Sequence, residues 1–360
     1  MNGIVAILLC FALLGAADKL LGGRLGVAEA FDRGLATMGP LCLSMAGIYC
    51  IAITALSSHP AAIAAIGKAL PFDASLLAGA LLAPDLGGYA IAVQMAEDVV
   101  LVQYAGLLVA STLGCLVSFV LPISFGSLRE HEIMGFMQGV LWGIIALPTG
   151  LVAGGLLLSI PPRTLFANLW PILLLCIGLC AALRWSARGC IIALSLLGKA
   201  VRVIGIILFC MVAANAFMPQ LNFVPDMLFA QALVIVFKIT IVVCGSMVAC
   251  QILFAHCSKW IGMIAYKLGI NDYAVLGLLM SLATSISMLP LYAKMDVRGK
   301  VMNAAFTVSG AFVFGGQLAF VSSVSTGKTV FAYVICKLTG GVIALVLASK
   351  FTKNVVVTEE

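Results

Sequence analysis

Apolar residues run through this chain in long stretches, and polar residues gather in the short gaps between them. Eleven stretches can be drawn, over 1–17, 35–57, 74–95, 99–124, 133–160, 166–183, 203–220, 228–254, 273–292, 301–325 and 329–349. Their lengths suit α-helices crossing the hydrocarbon of a bilayer, which takes about 20 residues each. The strands of a membrane barrel would alternate apolar and polar positions over about ten residues, and these stretches are continuous instead. The pattern predicts an all-α polytopic membrane protein. The first stretch ends in small residues but lacks a basic region ahead of it, so it is read as a retained first helix and not as a cleaved signal peptide.

Two stretches differ from the rest. Pro84-Asp85-Leu86-Gly87-Gly88 interrupts 74–95 near its middle, and Ser281, Thr284, Ser285 and Ser287 interrupt 273–292. Proline and paired glycines raise the cost of continuous helix, and a carboxylate at bilayer depth is expensive unless it faces protein or water. Both stretches are therefore expected to be broken or re-entrant helical hairpins. They also resemble one another. Lys68, Asp73 and Leu77 align with Lys267, Asp272 and Leu276, and Leu82, Ala83 and Met95 align with Leu282, Ala283 and Met295 at an offset one residue longer. So few identities arise easily in an apolar chain, and loop charge supplies an independent test.

If all eleven stretches cross the membrane, loop Lys and Arg divide evenly, nine to a side, and define no orientation. If the two interrupted stretches enter and leave on one face, fifteen fall on one side and only Lys68, Arg163 and Lys328 on the other. A bias of that size is what orients helices in membranes. The expected topology has nine full spans, an external amino end and a cytoplasmic carboxyl end. It divides the chain into a first membrane repeat (1–160), a linking helix with a basic cytoplasmic loop (161–202), and a second, inverted membrane repeat (203–360). Inverted repeats with discontinuous helices build many secondary transporters, whose cargo sits near the midplane against unpaired backbone groups.

Composition excludes other classes. Of 360 residues, 63% are hydrophobic and 9% charged, and the mean hydropathy is +1.19, outside the range of water-soluble domains. The net charge of +6 belongs to orienting loops and carries no argument for nucleic acid. The twelve cysteines lie mostly inside apolar stretches without Cys-x-x-Cys pairs and read as small packing residues. His59, His131 and His256 are scattered and form no metal constellation. No P-loop, dinucleotide fingerprint, nucleophile elbow or zinc-protease motif occurs, so neither enzymatic chemistry nor a cofactor is expected.

With Leu81-Leu82-Ala83-Pro84-Asp85-Leu86-Gly87-Gly88-Tyr89 and Met295-Asp296-Val297-Arg298-Gly299-Lys300-Val301 in view, the chain resembles the ethanolamine permease family of the bacterial ethanolamine-utilisation operon. The second motif continues through Asn303-Ala304-Ala305-Phe306 and Val308-Ser309, and the likeness extends to Lys337-Leu338-Thr339-Gly340-Gly341. The resemblance implies a multi-pass permease of the bacterial cytoplasmic (inner) membrane that takes up ethanolamine by alternating access. Two departures fall at polar points. Thr284-Ser285 stands where the family carries an Asn-Asn pair, and Gly316-Gln317 where it carries an Asp-His pair; the middle loops are also shorter. They keep open another small amine or a cation-coupled organic anion as cargo. A non-transporting membrane scaffold or sensor is the remaining alternative, against which the short loops argue.

At neutral pH ethanolamine is chiefly an ammonium ion bearing one hydroxyl, so its site needs a negative or aromatic partner for nitrogen and a hydrogen-bonding partner for oxygen. Asp85 is the leading candidate, with Gly87 and Gly88 permitting close backbone approach; capping the following half-helix is its structural alternative. Tyr89 offers a ring face. Thr284, Ser285 and Ser287 line the second break, and Gln317 offers an amide. Lys238 and Lys337 lie inside apolar stretches and are candidates for an ion pair with Asp85 or for proton or sodium coupling. Snorkelling to an interface is the expectation for Lys337, eight residues into its stretch. Gly135, Gly139 and Gly143 form two Gly-x-x-x-Gly steps suited to close helix packing, within the chain or in a homo-oligomer. Glu97 and Asp98 are read as a solvated outer loop.

Overall fold

A computed structural model of the chain describes residues 3–39, 42–43, 46–47, 50–51, 54, 58–59, 65, 69–221, 224–256 and 258–352. Nearly half of the 35–57 stretch therefore lies outside the described residues. Among those described, every regular element is helical and no strand occurs. Among the described residues five helices are long and apolar enough to cross a membrane: Val99–Val120, His131–Leu157, Pro162–Ala182, Met227–Ala249 and Gly327–Phe351. Among the expected spans, the 301–325 stretch is divided. Its residues form two helices, Val297–Ser309 and Gly316–Val324, separated by six non-helical residues. The linker also differs from the loop expected. Pro162–Trp185 is followed after Ser186 by one continuous helix, Ala187–Phe217. Its basic portion is rich in Ala, Leu, Lys and Arg, which favour helix even where solvated.

The centre of the bundle is the long helix Glu130–Leu157, packed against Gly327–Phe351 and Val297–Ser309. Small residues set this approach. A Cβ added at Gly139 would come within 2.9 Å of the Ala305 nitrogen, and one at Gly143 within 2.6 Å of the Ala305 oxygen. Gly135, grouped with them by spacing, would meet nothing within 4 Å, so it lies beyond the seam. Gly139→Ala is expected to destabilise the protein by about 1–3 kcal/mol through overpacking. Gly135→Ala should be neutral or stabilising by up to about 1 kcal/mol, because only helix propensity changes there. Thermal unfolding of the two purified variants checks the contrast.

Each interrupted stretch is tied shut at its base. Before the first, the Asp73 carboxylate accepts from the Glu97 N–H beyond its far end at 2.9 Å and from Ser75. The Asp73 N–H in turn donates to Asn168 at 2.8 Å. At the base of the second, the Asn271 N–H donates to Asp296 at 2.9 Å and its amide donates to the Lys294 carbonyl at 2.8 Å. The residue that opens each stretch is thus hydrogen-bonded to residues that follow its close. Asp98, expected to be merely solvated, is the N-cap of the next helix and accepts from Val100 and Leu101.

Candidate functional site

The first stretch is two short helices, Ser75–Leu81 and Gly88–Met95, joined by a 3₁₀ turn over Pro84–Leu86. The Ala83 carbonyl accepts from both Leu86 and Gly88 at 3.0 Å, closing the turn. Gly87, at φ 98°, makes the left-handed residue that the turn requires. The Ala83 N–H donates to the Ser118 hydroxyl at 3.0 Å. Ser118 lies in the Val99–Val120 helix, which is π-helical over Tyr104–Gly114 and Leu116–Val120. Close approach between the two is a matter of glycine. An added Cβ at Gly79 would overlap the Ala105 carbonyl, and one at Gly114 would overlap the Gly79 and Leu82 carbonyls.

The second stretch breaks after Asp272–Ala283, where Thr284 turns extended at φ −160°. A helix that ends inside a bundle leaves carbonyls without intrahelical donors. Here the unwound residues of the divided helix supply them: Phe312 donates to Ser281 and Phe314 to Leu282, each at 2.9 Å. Ser246 donates to the Phe314 carbonyl at 2.5 Å and Tyr333 to the Phe312 carbonyl at 2.8 Å, so the unwound segment is itself well partnered. A Cβ on Gly315 would run into the Ala283 carbonyl. The helix beginning at Gly316 also packs against the Pro84–Leu86 turn. Its amino end is the place where both breaks are gathered.

Lys337 reaches this place. Its side chain is 1% exposed, which overturns the expectation of snorkelling. The ammonium donates to the Ser111 carbonyl at 2.6 Å and to the Gln317 amide oxygen at 2.9 Å. It also lies 5.6 Å from the centroid of the Tyr333 ring. Two hydrogen bonds from a charged donor contribute about 1.5–3 kcal/mol each, which offsets much of the cost of burying the charge. Asp85 is partly buried in the Pro84–Leu86 turn, which packs against the helix that carries Gln317. Among the described residues they form no ion pair within 4.0 Å. No side chain caps the Gly88–Met95 helix, so Asp85 does not serve that role.

The other candidates divide. Tyr89 packs its ring edge-on against Phe320 at 5.6 Å, joining the first break to the Gly316–Val324 helix. Thr284 is half-buried and Ser285 buried, and neither hydrogen-bonds Asp85, Gln317 or Lys337 among the described side chains. The Ser287 side chain lies outside those described. Lys238 is exposed on the Asp226–His256 helix and forms no ion pair among the described residues, so it does not partner Asp85. An apolar groove of about 340 Å³ lined by Leu141, Trp142, Ile145 and Cys180, with Gln138 and Arg184, shares no residue with this cluster. Sequence reasoning missed Tyr333 and Ser111. Tyr333 stands four positions before Lys337, the spacing of helix-face neighbours, and was legible. Ser111 contributes a backbone carbonyl, which leaves no mark in the sequence.

Comparison with known proteins follows the same line. The family model described as ethanolamine utilisation protein, EutH, matches residues 1–351. The chain is 32% identical over 343 residues to the probable ethanolamine permease EutH of Listeria monocytogenes, covering 95% of this chain and 91% of that one. It is 33% identical to the uncharacterized protein YxeR of Bacillus subtilis, covering 98% and 95%. To the probable ethanolamine permease EutH of Salmonella typhimurium it is 28% identical, covering 96% and 94%. No solved structure matches the chain. An apolar all-helical bundle, two helices broken where the sequence motifs stand, and a family match across nearly every residue lead to one assignment: this chain belongs to the EutH family of ethanolamine utilisation proteins.

Proposed function

We propose that this chain is an ethanolamine permease of the bacterial cytoplasmic membrane, carrying its cargo by alternating access between two inverted halves. The observation that carries the reading is the cluster of Asp85, Gln317 and Lys337 where two helix breaks converge inside an otherwise apolar bundle. Relatives named as probable ethanolamine permeases over most of both chains supply the substrate. The hydrogen bonds from Glu97 to Asp73 and from Asn271 to Asp296 support re-entrant hairpins, because a single crossing would separate such ends by about 30 Å. With those hairpins the loop charges favour an external amino end and a cytoplasmic carboxyl end.

Reconstitution tests this directly. Purified protein in proteoliposomes should accumulate radiolabelled ethanolamine above empty vesicles, and an imposed proton or sodium gradient should identify any coupling ion. Competition by a panel of small amines and carboxylates fixes the cargo class. Protein-dependent flux of none of these would point to a scaffold or sensor; carboxylate flux without amine flux would point to an organic anion carrier.

A further inference from the structure

We propose that the Ser111 carbonyl, the Gln317 amide oxygen and the Tyr333 ring form a recognition niche for a primary ammonium ion, and that Lys337 is its resident occupant, which cargo must displace. The inference rests on the amine-transport reading and identifies the part of the site that reads the nitrogen.

The geometry is that of a ligand site. A primary ammonium has three N–H donors and no acceptor. Lys337 places two of them on oxygens, at 2.6 Å and 2.9 Å, with an aromatic ring 5.6 Å away. A lysine tail ends in the same methylene-ammonium group as ethanolamine, so the niche that satisfies one satisfies the other. The niche is also held by contacts other than the lysine's. Ser111 contributes backbone within the π-helical stretch. Gln317 is itself buried, in the first turn of the Gly316–Val324 helix. The Tyr333 hydroxyl is fixed on the Phe312 carbonyl at 2.8 Å.

Occupancy by Lys337 makes the niche exclusive. A second ammonium could not be buried beside the first without unscreened repulsion, so cargo enters as lysine leaves. Asp85, on the turn that packs against the Gly316–Val324 helix, is the counter-ion available to the displaced side chain. Ser111 belongs to the first half of the chain, and Gln317 and Tyr333 to the second. The bond from Lys337 to Ser111 therefore spans the halves, and its exchange for a cargo ammonium changes what ties them together.

The test empties the niche. Lys337→Ala in the full chain, purified in detergent, should melt below the wild type. Methylammonium, ethylammonium and ethanolammonium should each raise its midpoint saturably, by about 3 °C at a hundredfold excess over Kd. Tetramethylammonium, which has no N–H to donate, should not at the same ionic strength. Lys337→Met fills the stem space and should respond less than Lys337→Ala. Equal responses to all four cations, or to none, overturn the proposal. Should Lys337→Ala fail to fold, Gln317→Leu decides: losing one acceptor for the ammonium should raise the ethanolamine KM at least about tenfold, and an unchanged KM overturns the niche. Ammonium rescue without wild-type ethanolamine flux would sink the transport reading alone; flux without rescue would sink the niche alone.

Discussion

Asp85→Asn is expected to lower ethanolamine uptake by at least about tenfold, the loss of one charge-assisted partner for the Lys337 ammonium that cargo displaces. Apart from its charge, the carboxylate does no structural work that Asn would fail to do. It caps no helix, and it forms no ion pair within 4.0 Å among the described residues. What Asn removes is negative charge beside a buried ammonium. That loss has a stability component, because Lys337 keeps its hydrogen bonds but not its countercharge. The double variant Asp85→Asn, Lys337→Met restores neutrality and separates the two effects: thermal stability should recover while uptake stays low. Uptake by Asp85→Asn at the wild-type rate, with expression matched, would remove this residue from the cargo path.

A second large effect is expected at Gly315. Gly315→Ala should abolish folded protein or destabilise it by about 3 kcal/mol or more, the upper range for forced overpacking. The added methyl would meet the Ala283 carbonyl oxygen, and the backbone has nowhere to yield. Phe312 and Phe314, just before Gly315, hold the Ser281 and Leu282 carbonyls that the broken helix leaves free. Shifting Gly315 away would cost those hydrogen bonds inside an apolar bundle, where water cannot replace them. Gly178→Ala is the matched control, since a Cβ there meets nothing within 4 Å. Size-exclusion yield and thermal midpoint measured on both variants test the contrast; a monodisperse Gly315→Ala protein with wild-type stability would show that the crossing tolerates a methyl group.

Much of this molecule is written locally. Hydropathy determines the membrane class because a span is a property of about 20 consecutive residues. The first break follows from Pro84, Gly87 and Gly88, whose backbone restrictions act on their own neighbours. The second break falls at Thr284 and Ser285, where a hydroxyl cluster stands in an apolar stretch. Gly139 and Gly143 were legible as a seam because spacing puts them on one helix face, while Gly135 shows the limit of that argument: spacing says which residues share a face and not how far the partner helix extends.

Tertiary structure decided the rest. The division of 301–325 has a cue in Gly315 and Gly316, yet its cause is the need of the Ser281 and Leu282 carbonyls for donors, a need created by a different helix. The π-helical turns of 104–120 likewise have no compositional signature. Lys337 is the sharpest case. Eight residues into its stretch, its distance from an interface argued for snorkelling. Its fate was settled instead by a carbonyl 226 positions away and an amide 20 away. A buried ammonium goes wherever acceptors are held ready for it, and only the folded chain fixes where those acceptors meet.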